Sequence, residues 1–165
     1  MRARNTMIQT GTGMLGLMLF AGAAWGECAP GDASRAAVSQ FVVRSGEVYD
    51  RQTNLTWQRC SVGQRWLESG GCAGTPSKFK FDDAQALAAG AWRVPNVEEL
   101  TSIVATYCKE PAVDDEIFPG TPAEYYWTSI FTSPMAWYVA FRNGSANFTY
   151  YSDSAYAVRL VRSGQ

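Results

Sequence analysis

The stretch WRVPNVEELTSIV, residues 92–104, joins an extended approach to a helix whose start is written in its side chains. Asn96 is placed to act as N-cap, and Glu99, three residues on, to close a capping box. Val97, Leu100, Ile103 and Val104 then recur with the spacing that gives a helix one apolar face. Pro95 restricts Val94 to an extended backbone, so Trp92 to Val94 should enter the helix as a strand-like segment carrying one large aromatic. A helix from Val97 to about Tyr107, docked by one face, is predicted.

Upstream of it, Phe41 to Arg44 and Glu47 to Asp50 flank a Ser45-Gly46 turn and read as a hairpin. A second turn at Arg51 to Asn54 leads to a strand at Leu55 to Arg59, and asparagine tolerates the left-handed backbone such a turn needs. Ser61 to Ser77 is glycine-rich and without pattern, so a loop is placed there. Phe81 to Ala89 reads as a first helix stopped by Gly90. Beyond an acidic, proline-containing connection from Lys109 to Glu124, Tyr125 to Thr128 is a short aromatic strand. Trp137, Val139 and Phe141 alternate with Tyr138, Ala140 and Arg142, and Asn143-Gly144 signals a tight turn that returns Ala146 to Tyr150 beside them. Tyr156 to Arg162 alternates as a last strand.

Residues 1–26 read as an export signal. Arg2 and Arg4 open it, Met14 to Ala24 is apolar, and Ala24 and Gly26 are the small residues a signal peptidase reads. The expected organisation is a signal peptide at 1–26, an N-terminal segment at 27–40 and one domain at 41–165. Removing the 26 signal residues from 165 leaves 139, enough for one domain with a real core. Two of the 14 basic residues leave with the signal, so 12 face 15 acidic ones and the net charge is −3. That balance argues against nucleic acid or an anionic membrane as partner. After cleavage no membrane span is expected, and the protein belongs to the periplasm or the exterior.

Cys28, Cys60, Cys72 and Cys108 all survive cleavage, and an even count in an exported chain points to disulfides. Of three open pairings, Cys60 with Cys72 ties off the glycine-rich loop and leaves Cys28 for Cys108. The chain has no histidine and no Cys-x-x-Cys pair, so neither a metal centre nor a cofactor is expected.

The blocks GEVYDRQTNLTWQRC, WRVPNVEELTSIV, IFPGTPAEYYWTS, AWYVAFRNG and AYAVRLVR, with the loop from Cys60 to Cys72, resemble the Lcl C-terminal domain family. The resemblance covers residues 41–162. It implies an α+β domain similar to C-type lectins and to the formylglycine-generating enzymes, with two helices, short antiparallel strands, and termini paired in one sheet. The family's Thr-Gly-Leu turn is Thr53-Asn54-Leu55 here. The collagen-like adhesin that names the family binds sulfated glycans through a basic surface, whereas this domain is acidic. The calcium-lectin signatures are missing, the nearest string being Glu110-Pro111-Ala112.

Without histidine, hydrolase arrangements that need that base are excluded, and no cysteine follows Cys108 to serve the oxidase chemistry of the formylglycine-generating relatives. No catalytic residue is assigned. Asp114, Asp115 and Glu116 read as a solvated acidic loop, and Asp82 and Asp83 as first-turn residues of a helix. Arg93, Arg159 and Arg162 read as structural, pairing Glu98, Glu99 or main-chain carbonyls. Trp127, Trp137 and Phe141 are the expected core aromatics. Tyr138, Arg142, Asn143, Tyr150 and Tyr151 are the expected ligand-binding residues, with Asn147 exposed among them. Aromatic faces beside amide and guanidinium donors suit sugar rings.

The sequence therefore predicts an exported, disulfide-bonded recognition domain without catalytic activity, its partner a surface or matrix glycan. The alternative is an interaction module that binds an envelope protein. The exported chain is expected to begin at Glu27. Intact-mass analysis of the envelope fraction checks this, and retention of Met1 to Gly26 would instead indicate an anchor.

Overall fold

The structure, a computed structural model, describes residues 27–29, 39–150 and 154–165. The signal segment and Tyr151 lie outside the described residues. Among the described residues two short helices with both ends in view accompany antiparallel sheets, an α+β architecture. The strands are β1 (Glu27–Cys28), β2 (Phe41–Arg44), β3 (Glu47–Asp50), β4 (Leu55–Gln58), β5 (Arg65–Trp66), β6 (Cys72–Ala73), β7 (Cys108–Lys109), β8 (Tyr125–Thr132), β9 (Met135–Ala140), β10 (Ser145–Tyr150) and β11 (Val161–Ser163). The helices are α1 (Phe81–Gln85) and α2 (Val97–Ser102).

One sheet has the order β11-β4-β3-β2, so the last strand and the first hairpin share it. Its turns follow the sequence: Ser45 and Asn54 take φ of 50° and 56°. The second sheet has the order β10-β9-β8. The segment from Tyr156 to Val161 joins the two. Tyr156 bridges to Phe79, Ala157 to Tyr126 of β8 and Val161 to Arg93, and Ala157 to Val161 are all buried. Pairing of β1 with β7 places Cys28 opposite Cys108, and the disulfides are Cys28–Cys108 and Cys60–Cys72, closing separations of 80 and 12 residues. The glycine-rich loop inside the second bond is not patternless, since β5 and β6 pair across it.

At α2 the capping box is complete. Asn96 Oδ1 accepts from the Glu99 N–H at 2.7 Å, and Glu99 Oε2 accepts from the Asn96 N–H at 2.8 Å. Arg93 grips the same carboxylate with both guanidinium nitrogens, at 2.7 and 2.6 Å. Those bonds hold the Glu99 carboxyl below its ordinary range against the opposing cost of burial. Their contribution to stability is present above the usual carboxylate range and is lost as pH falls through the depressed value.

Both helices are shorter than predicted. After Ile103 the Ala105 N–H donates to Ala112 O at 2.9 Å and β7 turns to meet β1, so backbone groups that would extend α2 pair elsewhere. The alanine-rich end of α1 is likewise drawn into a tight turn, with Ala89 and Trp92 exchanging N–H···O bonds at 3.0 and 3.1 Å around Gly90, φ 61°.

The core has two compartments separated by the β8–β10 sheet. Leu100 and Ile103 of the α2 region meet Tyr126, Val139 and Phe141 on one face, while Phe81 and Ala84 of α1 meet Trp127 and Ala136 on the other. Trp127 and Phe141 are fully buried, as expected of core aromatics. Trp137 is not: it shares the Val139 face beyond the reach of α2, is half-buried, and packs edge-on against exposed Phe148 at 5.3 Å. The arginines are structural. Besides Arg93, Arg162 meets Glu47 at 3.0 Å, and Arg159 is buried among oxygen acceptors.

Leu100→Ala is expected to cost about 2–5 kcal/mol by opening a cavity, against about 1 kcal/mol for Asn96→Ala. Urea melts that reversed this order would remove α2 from the core. In the same assay Arg159→Met is expected to cost about 3 kcal/mol or more, because several buried acceptors lose their donor. Arg162→Ala, at a half-exposed ion pair, is expected to cost about 1 kcal/mol or less, and a reversal of that second order would show that Arg159 does not hold the interior.

Candidate functional site

The alternation of β8 sends Tyr126 into the α2 compartment and leaves Tyr125 and Trp127 on the opposite face. Register then places Trp127 beside Tyr138 and Tyr138 beside Asn147, while Tyr125 stands beside Ala140 and Ala140 beside Ser145. The small Ala140 leaves room for the ring of Tyr138 to approach Tyr125, centroid to centroid 5.1 Å. Tyr156 arrives from the C-terminal segment, held by its paired bonds with Phe79 at 2.9 and 3.0 Å. Its ring lies 5.1 Å from Tyr125, 5.0 Å from Tyr138 and 4.3 Å from Trp127. Trp127 Nε1 donates to Phe79 O at 2.7 Å, which fixes the floor of the cluster.

Three tyrosine rings thus meet on a tryptophan, and Tyr125 stays 45% exposed. Beside them opens a cleft of about 240 Å³ lined by Lys78, Glu124, Tyr125, Arg142 and Tyr156. Lys78 and Glu124 form its ion pair at 2.9 Å. Arg142 reaches Glu110 at 3.1 Å with both side chains largely exposed, so the guanidinium is free to turn toward a ligand at little cost. Burial, followed by the neighbouring Tyr156 and Tyr125, raises the Tyr138 phenol above its ordinary value, so it remains a neutral hydroxyl. The arrangement offers apolar ring faces, hydroxyls that donate and accept, and one charged pair.

Of the residues singled out from the sequence, Arg142 lines this cleft and Tyr138 packs behind it, against Tyr125 and Tyr156. Tyr138 is half-buried in the aromatic cluster where an exposed position was expected, because α1 and Tyr156 cover its face. Arg142 is in the turn, not on the strand: β9 ends at Ala140, and Phe141 to Gly144 form the connection to Ser145. Asn143 serves that turn, its Oδ1 accepting from Ser145 Oγ at 2.8 Å. Tyr150 is opposite Met135, hence on the other face of the sheet from Tyr138 and at the other end of the hairpin. Asn147, exposed, is on the cleft's face. Tyr125 and Tyr156 are the residues sequence reasoning missed. Both stand at alternate positions with Trp127 and Val158 respectively, the signal that sorts them to one face.

The acidic run is folded in at Asp114, while Asp115 is half-buried and Glu116 stays exposed. Asp114 is buried and accepts from Tyr107 OH at 2.8 Å and from the Glu116 N–H at 2.9 Å, and Asp115 accepts from the Gly120 N–H at 2.9 Å. Burial, then Asp114, raises the Tyr107 phenol well above its ordinary value. Asp82 and Asp83 occupy the first turn of α1. Among the described residues no three His, Cys, Asp or Glu side chains group as a metal set.

No curated protein and no solved structure gives a match to this chain. A sequence model of the Lcl C-terminal domain family matches residues 46–162, which takes in the three-stranded sheet, the four-stranded sheet apart from β2 and the last residue of β11, α1, α2 and every residue of the cleft. By that match, the chain belongs to the Lcl C-terminal domain family.

Proposed function

We propose that this chain is an exported recognition domain that holds a glycan in the tyrosine cleft and carries out no chemistry on it. The observation that carries the reading is the meeting of Tyr125, Tyr138 and Tyr156 beside the Lys78–Glu124 pair. A sugar ring has apolar C–H faces and a polar hydroxyl edge, and an exposed phenol ring next to charged donors and acceptors meets both. The two disulfides support export, and no helix among the described residues is long and apolar enough to cross a membrane. A C-type-lectin-like arrangement and a periplasmic or extracellular home accompany this reading.

A second reading, an envelope-protein interaction module, is favoured by one observation. Phe148 and Tyr150 stand 48% and 56% exposed on the sheet face opposite Tyr138. The two readings use different surfaces, so one experiment separates them.

Tyr125→Ala is expected to weaken glycan binding by about thirty-fold, the roughly 2 kcal/mol of a central aromatic contact. Its melting temperature should fall by only several degrees with the fold retained, since the ring, 45% exposed, gives up its contacts with Tyr138 and Tyr156 but opens no interior cavity. Tyr150→Ala should leave glycan binding unchanged. Array binding followed by titration calorimetry makes the measurement, and an array on which Tyr150→Ala loses binding while Tyr125→Ala keeps it would move the site to the opposite face.

A further inference from the structure

We propose that the outer edge of β10 is where two copies of this chain join, strand to strand and antiparallel, making one six-stranded sheet from two three-stranded ones. The order β10-β9-β8 leaves β10 at the edge, paired among the described residues with β9 alone. Its alternate N–H and C=O groups face outward, an arrangement that pairs with another strand unless something prevents it. Proteins ordinarily blunt such an edge with charge, proline, a bulge or a covering element. The other outer strands of the two larger sheets differ from β10. β8 is bridged by Ala157, β11 is three residues long and its Val161 bridges to Arg93, and β2 ends in Arg44. β10 reads Ser-Ala-Asn-Phe-Thr-Tyr, six residues with no charge and no proline, in unbroken register with β9.

A second copy, rather than another partner, is selected by self-complementarity. A two-fold axis sets a patch against itself, which ordinarily brings like charges together; an uncharged strand escapes that penalty. Residues directly opposite in an antiparallel pair share a face, and centring the axis on Phe148 satisfies both faces at once. Phe148 then meets the second copy's Phe148, and since each already packs against its own Trp137 at 5.3 Å, four rings run across the junction. Tyr150 falls opposite Ala146, large against small, and Asn147 opposite Thr149, amide against hydroxyl. The exposed rings of Phe148 and Tyr150 are thereby covered. Because the axis stands perpendicular to the sheet, both tyrosine clefts open on one side; if they bind glycan, a polymeric ligand engages two sites at once.

The test needs no glycan, so it stands apart from the reading of the cleft. Sedimentation velocity of the mature, disulfide-bonded protein is expected to give a dimer. Phe148→Lys and Phe148→Glu, each alone, set like charges across the axis at an exposed position and are expected to halve the mass. Mixed in equal amounts they are expected to restore the dimer, because only a lysine facing a glutamate at the two-fold axis relieves the repulsion. A monomeric native protein, a dimer that persists in each variant alone, or a mixture that stays monomeric would overturn the proposal.

Discussion

The interior is organised by a guanidinium that has no solvent and meets oxygen acceptors rather than a carboxylate. Arg159 Nη1 donates to Gln58 O at 2.9 Å and to Arg59 O, while Nη2 donates to Ser61 Oγ at 3.2 Å and Thr121 Oγ1 at 2.7 Å. Its Cζ lies 4.8 Å from the centroid of the Phe118 ring. Burial lowers its pKa from the ordinary arginine value, yet guanidinium begins so high that the charge stays. Taking a charge out of water costs several kcal/mol, and only a dense set of acceptors offsets it. The same acceptors belong to the end of β4, to the loop after it, and to the connection before β8. Ser61 passes the contact on to Tyr126 OH at 2.7 Å, so one side chain reaches both sheets.

Arg59 repeats the device nearer the surface. It donates to Ile117 O, Ser45 O and Glu116 O at 2.8, 2.9 and 2.7 Å and lies 4.5 Å over Trp66. The chain from Pro111 to Thr121 contains much buried backbone and no helix or strand, so its carbonyls need donors from elsewhere. Arg59, after the end of β4, supplies two of them at Glu116 and Ile117, and Arg159 from the C-terminal segment holds the Thr121 hydroxyl at the far end. The long connection is ordered for this reason, and it brings Asp114 inside, where the Tyr107 hydroxyl and the Glu116 N–H satisfy it.

What was legible in the sequence was local. The capping box of Asn96 and Glu99 is closed by residues three apart, and the Ser45 and Asn54 turns by single left-handed residues, so neither depends on distant partners. The ends of the helices were not legible, since Ala105 and Ala89 are taken by Ala112 and Trp92. The Asn143-Gly144 turn shows the same limit. Phe141 is pinned in the core, its N–H on Glu124 O at 2.8 Å and its C=O accepting from Ala112. It therefore leaves the strand early, the turn widens, and Phe148 arrives opposite Trp137. Gly144, at φ 76°, lies so close to Val104 that a Cβ would collide with it, which fixes the turn against the end of α2. Alternation correctly put Tyr138 and Trp137 on opposite faces, but it could not say how far each face is covered.

That coverage decides where the molecule presents aromatic surface. The β8–β10 sheet is a partition, and each of its faces is closed by a helix too short to cover it. On one side α2 spans Val139 and Phe141 and stops, so Trp137, Phe148 and Tyr150 continue past its shelter. On the other side α1 and Tyr156 enclose Trp127 and most of Tyr138 and leave Tyr125 at the margin. Helices of five and six residues are therefore not failed long helices. Their termination by Trp92 and Ala112 is what exposes two aromatic margins at opposite ends of one hairpin, one lined with hydroxyls and charge, the other apolar. A surface of the first kind suits a polar ring, and one of the second kind suits another protein surface.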